Sequence, residues 1–272
     1  MMVADSAREA ITPSTPPSVF PTRVQQRWLE QAAREVAART GQPAVAVLAH
    51  YRSRLDDGEP LQYVLGSWQF RWLNLGVDRR ALIPRPETEL LVDLVVAEVD
   101  SGRSGRVLEL GTGTGAIAAS LAHEFPTLQV VATDFSRDAL ALAAENLRQL
   151  ELDQRVELRF GRWWEAVEPQ ERFDVICSNP PYVTDDEWIG LDSAVRDWEP
   201  REALVAGTSG LECYEVIFAH AGCHLDRGHG TVVVEIGADQ GAEVVAIARN
   251  ASFGAVIKRD LVGRDRFVVA RL

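Results

Sequence analysis

The chain has little that could hold it together covalently. Cysteine is scarce, with three residues in 272, Cys177, Cys213 and Cys223, and no C-x-x-C pair. An odd, unpaired set argues against a disulfide framework and a structural zinc, and leaves reduced thiols as the default. His220, Cys223, His224 and His229 lie close together, but no carboxylate joins them at helical spacing. "HLDRGHG" therefore reads as a helix ending in a glycine turn, and no metal is expected. Long apolar runs are missing too: no window approaches the roughly 18 unbroken apolar residues of a membrane span. The opening "MMVADSAREAITPSTPPSVFP" has no signal-peptide core. Residues 1–22 read as a disordered lead from their Pro, Ser and Thr content, and a cytoplasmic protein is expected. A basic excess is also absent. The net charge of −12 argues against stable nucleic-acid binding, since phosphate neutralisation supplies much of that affinity.

What is present is an ordinary globular composition, 46% hydrophobic and 25% charged, long enough for one large α/β domain and a small one. "TRVQQRWLEQAAREVAARTGQPAVAVLAHYRSRLDDG" reads as amphipathic helices, a helical domain over 23–60. The following aromatic and β-branched stretch, broken by Gly and Pro, suggests a β-hairpin linker over 61–85. From Val107 onward strands and helices alternate: "RVLEL", "GAIAASLAHEF", "LQVVATD", "SRDALALAAENLRQL", "RVELRF", "FDVICS", then "GLECYEVIFAHAGCHL", "TVVVEIG" and "DQGAEVVAIARN". That pattern implies a doubly wound, parallel, Rossmann-like sheet over 86–272, and the closing pair "GAVIKRD" and "RFVVARL" implies an antiparallel edge.

Two stretches carry chemistry. "ELGTGTGAIA" runs from a strand into a helix, and Gly111, Gly113 and Gly115 let its backbone turn tightly against a ligand. Asp134 ends the second strand, where a carboxylate can take ribose hydroxyls. Together they specify a nucleoside. The nicotinamide pattern G-x-G-x-x-G is not met, and Glu109 beside the turn suits the cationic, phosphate-free S-adenosyl-L-methionine better than a pyrophosphate. "CSNPPYV" follows the fourth strand of the wound region. Its prolines must leave the ladder as a stiff loop, at the sheet end where such folds bind ligands.

With "TDFSRDALALAAENL", "LIPRPETE" and "RDWEPREALVAGTSGLECY", these motifs resemble the bacterial HemK/PrmC family, which methylates the side-chain amide of a glutamine in peptide-chain release factors. The match covers roughly residues 57 to 272; the helical head resembles the family's release-factor-contacting domain in position and size. The resemblance implies a class I methyltransferase that uses S-adenosyl-L-methionine and acts at N5 of the glutamine in a Gly-Gly-Gln segment. A release factor would be its protein partner, and a monomer is expected. On the substrate side it implies that the Asn179 side-chain carbonyl and the Pro180 main-chain carbonyl accept from the amide NH₂. Pro181 would stiffen the loop and Tyr182 pack on the amide. On the cofactor side it implies Gly111, Thr112, Gly113, Thr114 and Gly115, with Asp134 at the ribose, Trp163 beside the adenine and Asn179. Arg162 stands where similar proteins usually have an acid, and Glu109 where Asp is commoner. Arg85 and Glu87 read either as cleft residues or as an ion pair with each other. The same acceptors would also serve a ribosomal-protein glutamine methyltransferase or a DNA adenine-N6 methyltransferase. A remoter reading is a non-catalytic binding module.

Overall fold

A computed structural model describes residues 22–99, 105–226 and 228–272. The expected lead lies outside these residues apart from Thr22. The chain divides into two compact units, the first ending at Asp57 and the second running from Gly58 to Leu272.

In the first unit α1 (Arg23–Thr40) packs on α2 (Ala44–Asp56). A capping box starts α1: the Thr22 hydroxyl accepts from the Gln25 N–H, and the Gln25 side chain accepts from the Thr22 N–H. Gly41, at φ +76°, stops it in the left-handed conformation that glycine adopts without strain. Leu29 and Ala33 of α1, and Val47 and Tyr51 of α2, are buried.

The second unit opens with α3 (Leu61–Leu65) and a hairpin of β1 (Ser67–Phe70) and β2 (Leu73–Gly76). Arg71 in the hairpin turn reaches α4 (Glu89–Glu98) through the Glu89 carbonyl, and α5 (Ala116–Glu124) through a bidentate pair with Glu124 at 2.6 and 2.7 Å. The hairpin is thus part of the large unit.

The remaining elements are β3 (Arg106–Leu110), β4 (Gln129–Asp134), α6 (Arg137–Gln149), β5 (Val156–Phe160), β6 (Val175–Ser178), β7 (Val183–Thr184), α7 (Asp185–Gly190), α8 (Ser193–Arg196), β8 (Val205–Gly207), α9 (Glu212–His224), β9 (Thr231–Glu235), α10 (Gly241–Asn250), β10 (Gly254–Arg259) and β11 (Asp265–Arg271). Seven strands form one sheet in the order β10-β11-β9-β6-β3-β4-β5. From β9 to β5 every pairing is parallel, whereas β11 runs antiparallel to both neighbours. The antiparallel pair thus sits at the edge, with the last strand inserted inside β10.

Alternation along β3 shows why the core has two layers. Val107 packs with α4 and α5 on one face of the sheet, and Leu108 and Leu110 with α9 and α10 on the other. Helices on both faces leave β3, β6 and β9 nearly all buried, so each reads as a continuous apolar run. Chain order reverses between β3 and β6: β4 and β5 follow on one side, β9 on the other. Ligands in such sheets bind outside the carboxyl ends of the strands at that switch point.

Candidate active site

The loops leaving β3 and β6 open on a single cleft of about 340 Å³, within the range of small-molecule sites. Gly111, Thr112, Gly113, Thr114, Asp134, Trp163, Asn179 and Pro181 line it. Gly115, Pro180 and Tyr182 lie outside the lining. Gly115, at φ +81°, brings α5 against α6: a Cβ there would meet the Ala143 Cβ at 3.2 Å. Pro180 is buried. The Tyr182 ring packs against the cluster that includes Tyr214 and Ile236.

Three N–H groups of the glycine turn are already committed. Those of Gly111 and Thr112 donate to the Thr133 carbonyl at 2.9 Å, and that of Gly113 to Asp134 Oδ2 at 2.9 Å. A phosphate cradle needs such groups free, so the turn suits a ligand without one. At Gly111, φ is +77° and an added Cβ would meet no protein atom within 4 Å, so open space adjoins the cleft where the backbone passes. Asp134 also accepts from the Ser136 N–H at 2.9 Å, and burial raises its pKa despite these bonds. Glu109 is more deeply buried. It accepts the Thr112 hydroxyl at 2.8 Å and the Ala118 N–H at 3.1 Å, and burial pushes its carboxyl up to about 8. A sulfonium and an ammonium are the kind of cations that two such acids would attract, and a nucleoside ribose fits Asp134. The residues therefore fit S-adenosyl-L-methionine.

The opposite wall comes from segments distant in sequence. Arg162 lines the cleft, its guanidinium carbon 5.7 Å from the centroid of Phe135. Trp163 follows in the left-handed region at φ +51°, unusual for a bulky side chain, and packs partly on the core. Trp164 turns away, stacking on His224 with ring centroids 5.0 Å apart. Arg85 lines the cleft too, but its partner is Glu199 at 2.5 Å rather than Glu87. Glu199 also accepts the Ile83 N–H at 3.0 Å, which ties the segment before α4 to the one after α8.

The loop after β6 is fixed from several sides. The N–H groups of Tyr182 and Val183 donate to the Leu204 carbonyl, and the Tyr182 carbonyl accepts from Gln240 Nε2 at 3.0 Å. Asn179 donates through Nδ2 to the Thr88 hydroxyl at 3.1 Å, and Thr88 donates to Glu235 at 2.7 Å. Thr88 in the cleft lining, and Glu235, Gln240 and Glu199 behind it, make contacts that the sequence reading did not assign. The available signals were an acid closing the otherwise apolar strand "TVVVE" and the place of Thr88 and Glu199 within the stretches "LIPRPETE" and "RDWEPREALVAGTSGLECY". Among the described residues no His, Cys, Asp and Glu cluster could hold a metal, and no helix is long and apolar enough to cross a membrane.

Residues 86–191 match the family model described as "Methyltransferase small domain". The release factor glutamine methyltransferase of Cereibacter sphaeroides is 44% identical over 79% of this chain and 75% of its own. That of Gloeobacter violaceus is 41% identical over 81% and 77%. Among solved structures, the hMettl16 catalytic domain in complex with MAT2A 3'UTR hairpin 6 shares the fold at TM-score 0.57 and 14% identity, covering 85% of this chain and 82% of that one. A methyltransferase from Pyrococcus furiosus does so at TM-score 0.52 and 17% identity, covering 82% and 98%.

Proposed function

The chain belongs to the release factor glutamine methyltransferase family, and from that membership and the geometry of its cleft we propose that it methylates the side-chain amide nitrogen of the glutamine in the Gly-Gly-Gln segment of a peptide-chain release factor. The observation that carries the reading is the orientation of Asn179. With its NH₂ turned to Thr88, its carbonyl oxygen is left to accept from an amide NH₂ placed in the cleft.

S-adenosyl-L-methionine supplies an electrophilic methyl on its sulfonium. The chain's own part is to hold and orient. Gly111 to Thr114, Asp134 and Trp163 would hold the cofactor, and Glu109 would offset its positive charge. An amide nitrogen is a poor nucleophile because its lone pair is delocalised into the carbonyl. Acceptors on its hydrogens, the Asn179 Oδ1 and the Pro180 carbonyl, fix its direction and favour the pyramidal geometry. Pro181 and the Leu204 and Gln240 contacts keep that loop from shifting. The N-methylated amide cation is acidic enough to lose its proton to water, so no strong base is required.

The helical unit is read as the part that contacts the release factor, and the protein as a cytoplasmic monomer without stable nucleic-acid binding. The net charge of −12 supports the last point. The test is mass spectrometry of purified release factor after incubation with S-adenosyl-L-methionine and the protein. One added methyl on the Gly-Gly-Gln glutamine is expected. An unmodified release factor, with label appearing in ribosomal protein or DNA instead, would overturn it.

A further inference from the structure

Asn179, Thr88 and Glu235 are brought together from three parts of the chain. Asn179 and Thr88 are 91 residues apart, and Thr88 and Glu235 are 147 apart. Alternation along β9 puts Glu235 on the same face as Val233, towards α4, and Thr88 immediately precedes α4. Thr88 is 4% exposed and Glu235 1%, so water does not compete for the bond between them, while the Asn179 end opens on the cleft.

We infer that Thr88 and Glu235 are positioning residues for methyl transfer, which determine which way round the Asn179 amide sits; the inference rests on the reading that Asn179 accepts from the substrate amide. An ionised carboxylate can only accept, so the single Thr88 hydroxyl proton is committed to Glu235. The Thr88 oxygen then offers only lone pairs, and Asn179 must present its NH₂ there. Oδ1 is left for the substrate. Turned the other way, Asn179 would point donor hydrogens at a substrate NH₂ that is itself a donor.

The carboxyl can change state near neutrality. Arg85 and Glu87 face it from the segment before α4, Arg266 from β11, Tyr182 from the loop after β6, and Tyr214 from α9, whose hydroxyl bonds the Glu235 carbonyl at 3.1 Å. Burial outweighs these charges and pushes Glu235 up to about 7. Once protonated, Glu235 can itself donate to Thr88, whose proton is then free for Asn179, and the inverted amide becomes allowed. Turnover should therefore rise as pH climbs through about 7 and fall below it.

The test is steady-state methylation of purified release factor by the full-length protein, four single variants and one double variant, with cofactor affinity measured by calorimetry as a check on folding. Thr88→Val is expected to lower kcat about tenfold or more, with the KM for release factor and the cofactor Kd little changed, and Thr88→Ser to restore it. Thr88→Val combined with Asn179→Ala should be no slower than Asn179→Ala alone. Glu235→Gln should remove the acid limb of the kcat profile. Wild-type kcat in Thr88→Val beside an inactive Asn179→Ala would overturn the relay and leave the Asn179 reading standing. Wild-type activity in Asn179→Ala would overturn that reading and the relay with it. A cofactor affinity lost in step with kcat would make Thr88 merely structural and also overturn the relay. If Thr88→Val does not fold, Glu235→Gln decides: an unchanged acid limb overturns the inference.

Discussion

Two loops leave neighbouring strands and face one cleft, yet they are held in opposite ways. The turn after β3 is anchored mainly from the run of chain around it, by Glu109, Ala118, Thr133, Asp134 and Asn146 of α6. The loop after β6 is anchored by Thr88, Leu204 and Gln240, from before and after it in the chain. The half proposed to hold the cofactor is a local module that one continuous stretch of chain can specify. The half proposed to hold the substrate exists only once the whole unit has folded. Damage should therefore separate, with local changes near β3 weakening cofactor binding and changes near β6 slowing the chemistry.

The largest effect that sharpens this contrast is expected at Asn179. Asn179→Ala removes the acceptor proposed for the reacting amide and should cost about 100-fold or more in kcat, by analogy with deletion of a single oxyanion donor. Asn179 is also expected beside the cofactor, but the variant's cofactor affinity, read by calorimetry, should fall far less than kcat. Asp134→Ala is the mirror case. Loss of the buried carboxylate that holds the turn and is proposed to take the ribose should weaken cofactor binding about 10- to 100-fold, while kcat at saturating cofactor changes little. If both variants lose binding and kcat alike, the two halves are not separable and the contrast breaks.

The same division explains what could be read in advance. Strands such as "RVLEL" and "TVVVE" were legible because burial on both faces makes them unbroken apolar runs. The glycine turn was legible because the partners it needs lie within the continuous run from β3 through α5 and β4 to α6. Arg85 was weighed against its near neighbour Glu87, but its partner is Glu199, on a segment that only the fold brings near. Thr88 could not be singled out, because its role appears only when Asn179 and Glu235 meet it. The order of the closing strands was hidden for a similar reason: β11 slots between β9 and β10, and a two-strand pattern does not say which of the pair is outermost.

A pair of glycines sharpens the contrast within the local module. Gly111→Ala and Gly115→Ala impose the same left-handed strain, about 1–2 kcal/mol each. Only Gly115→Ala also drives a Cβ to 3.2 Å from Ala143, whereas at Gly111 the space is open. Thermal melting should show Gly115→Ala to be the less stable protein. Titration with cofactor should show Gly111→Ala to be the weaker binder, its methyl group occupying ligand space.

The smallest expected effect is a pH dependence confined to the cofactor half. Without cofactor, burial holds Glu109 up to about 8, far above its unfolded value of 4.5. The folded protein therefore keeps a proton that the unfolded chain releases. The stability this group contributes is present in full below about 4.5 and is lost as pH rises through about 8. A bound cation reverses the preference, because it favours the ionised carboxyl and expels the proton. Cofactor affinity should therefore rise with pH towards about 8, by no more than about tenfold per unit, and then level off. The rise in melting temperature on adding cofactor should be larger at about pH 8.5 than at about pH 6.5. Glu109→Gln, which cannot ionise, should bind more weakly with no such slope. A slope that survives in Glu109→Gln would move the titrating group elsewhere, and Glu235, about one pH unit lower and on the substrate side of the cleft, would be the next to replace.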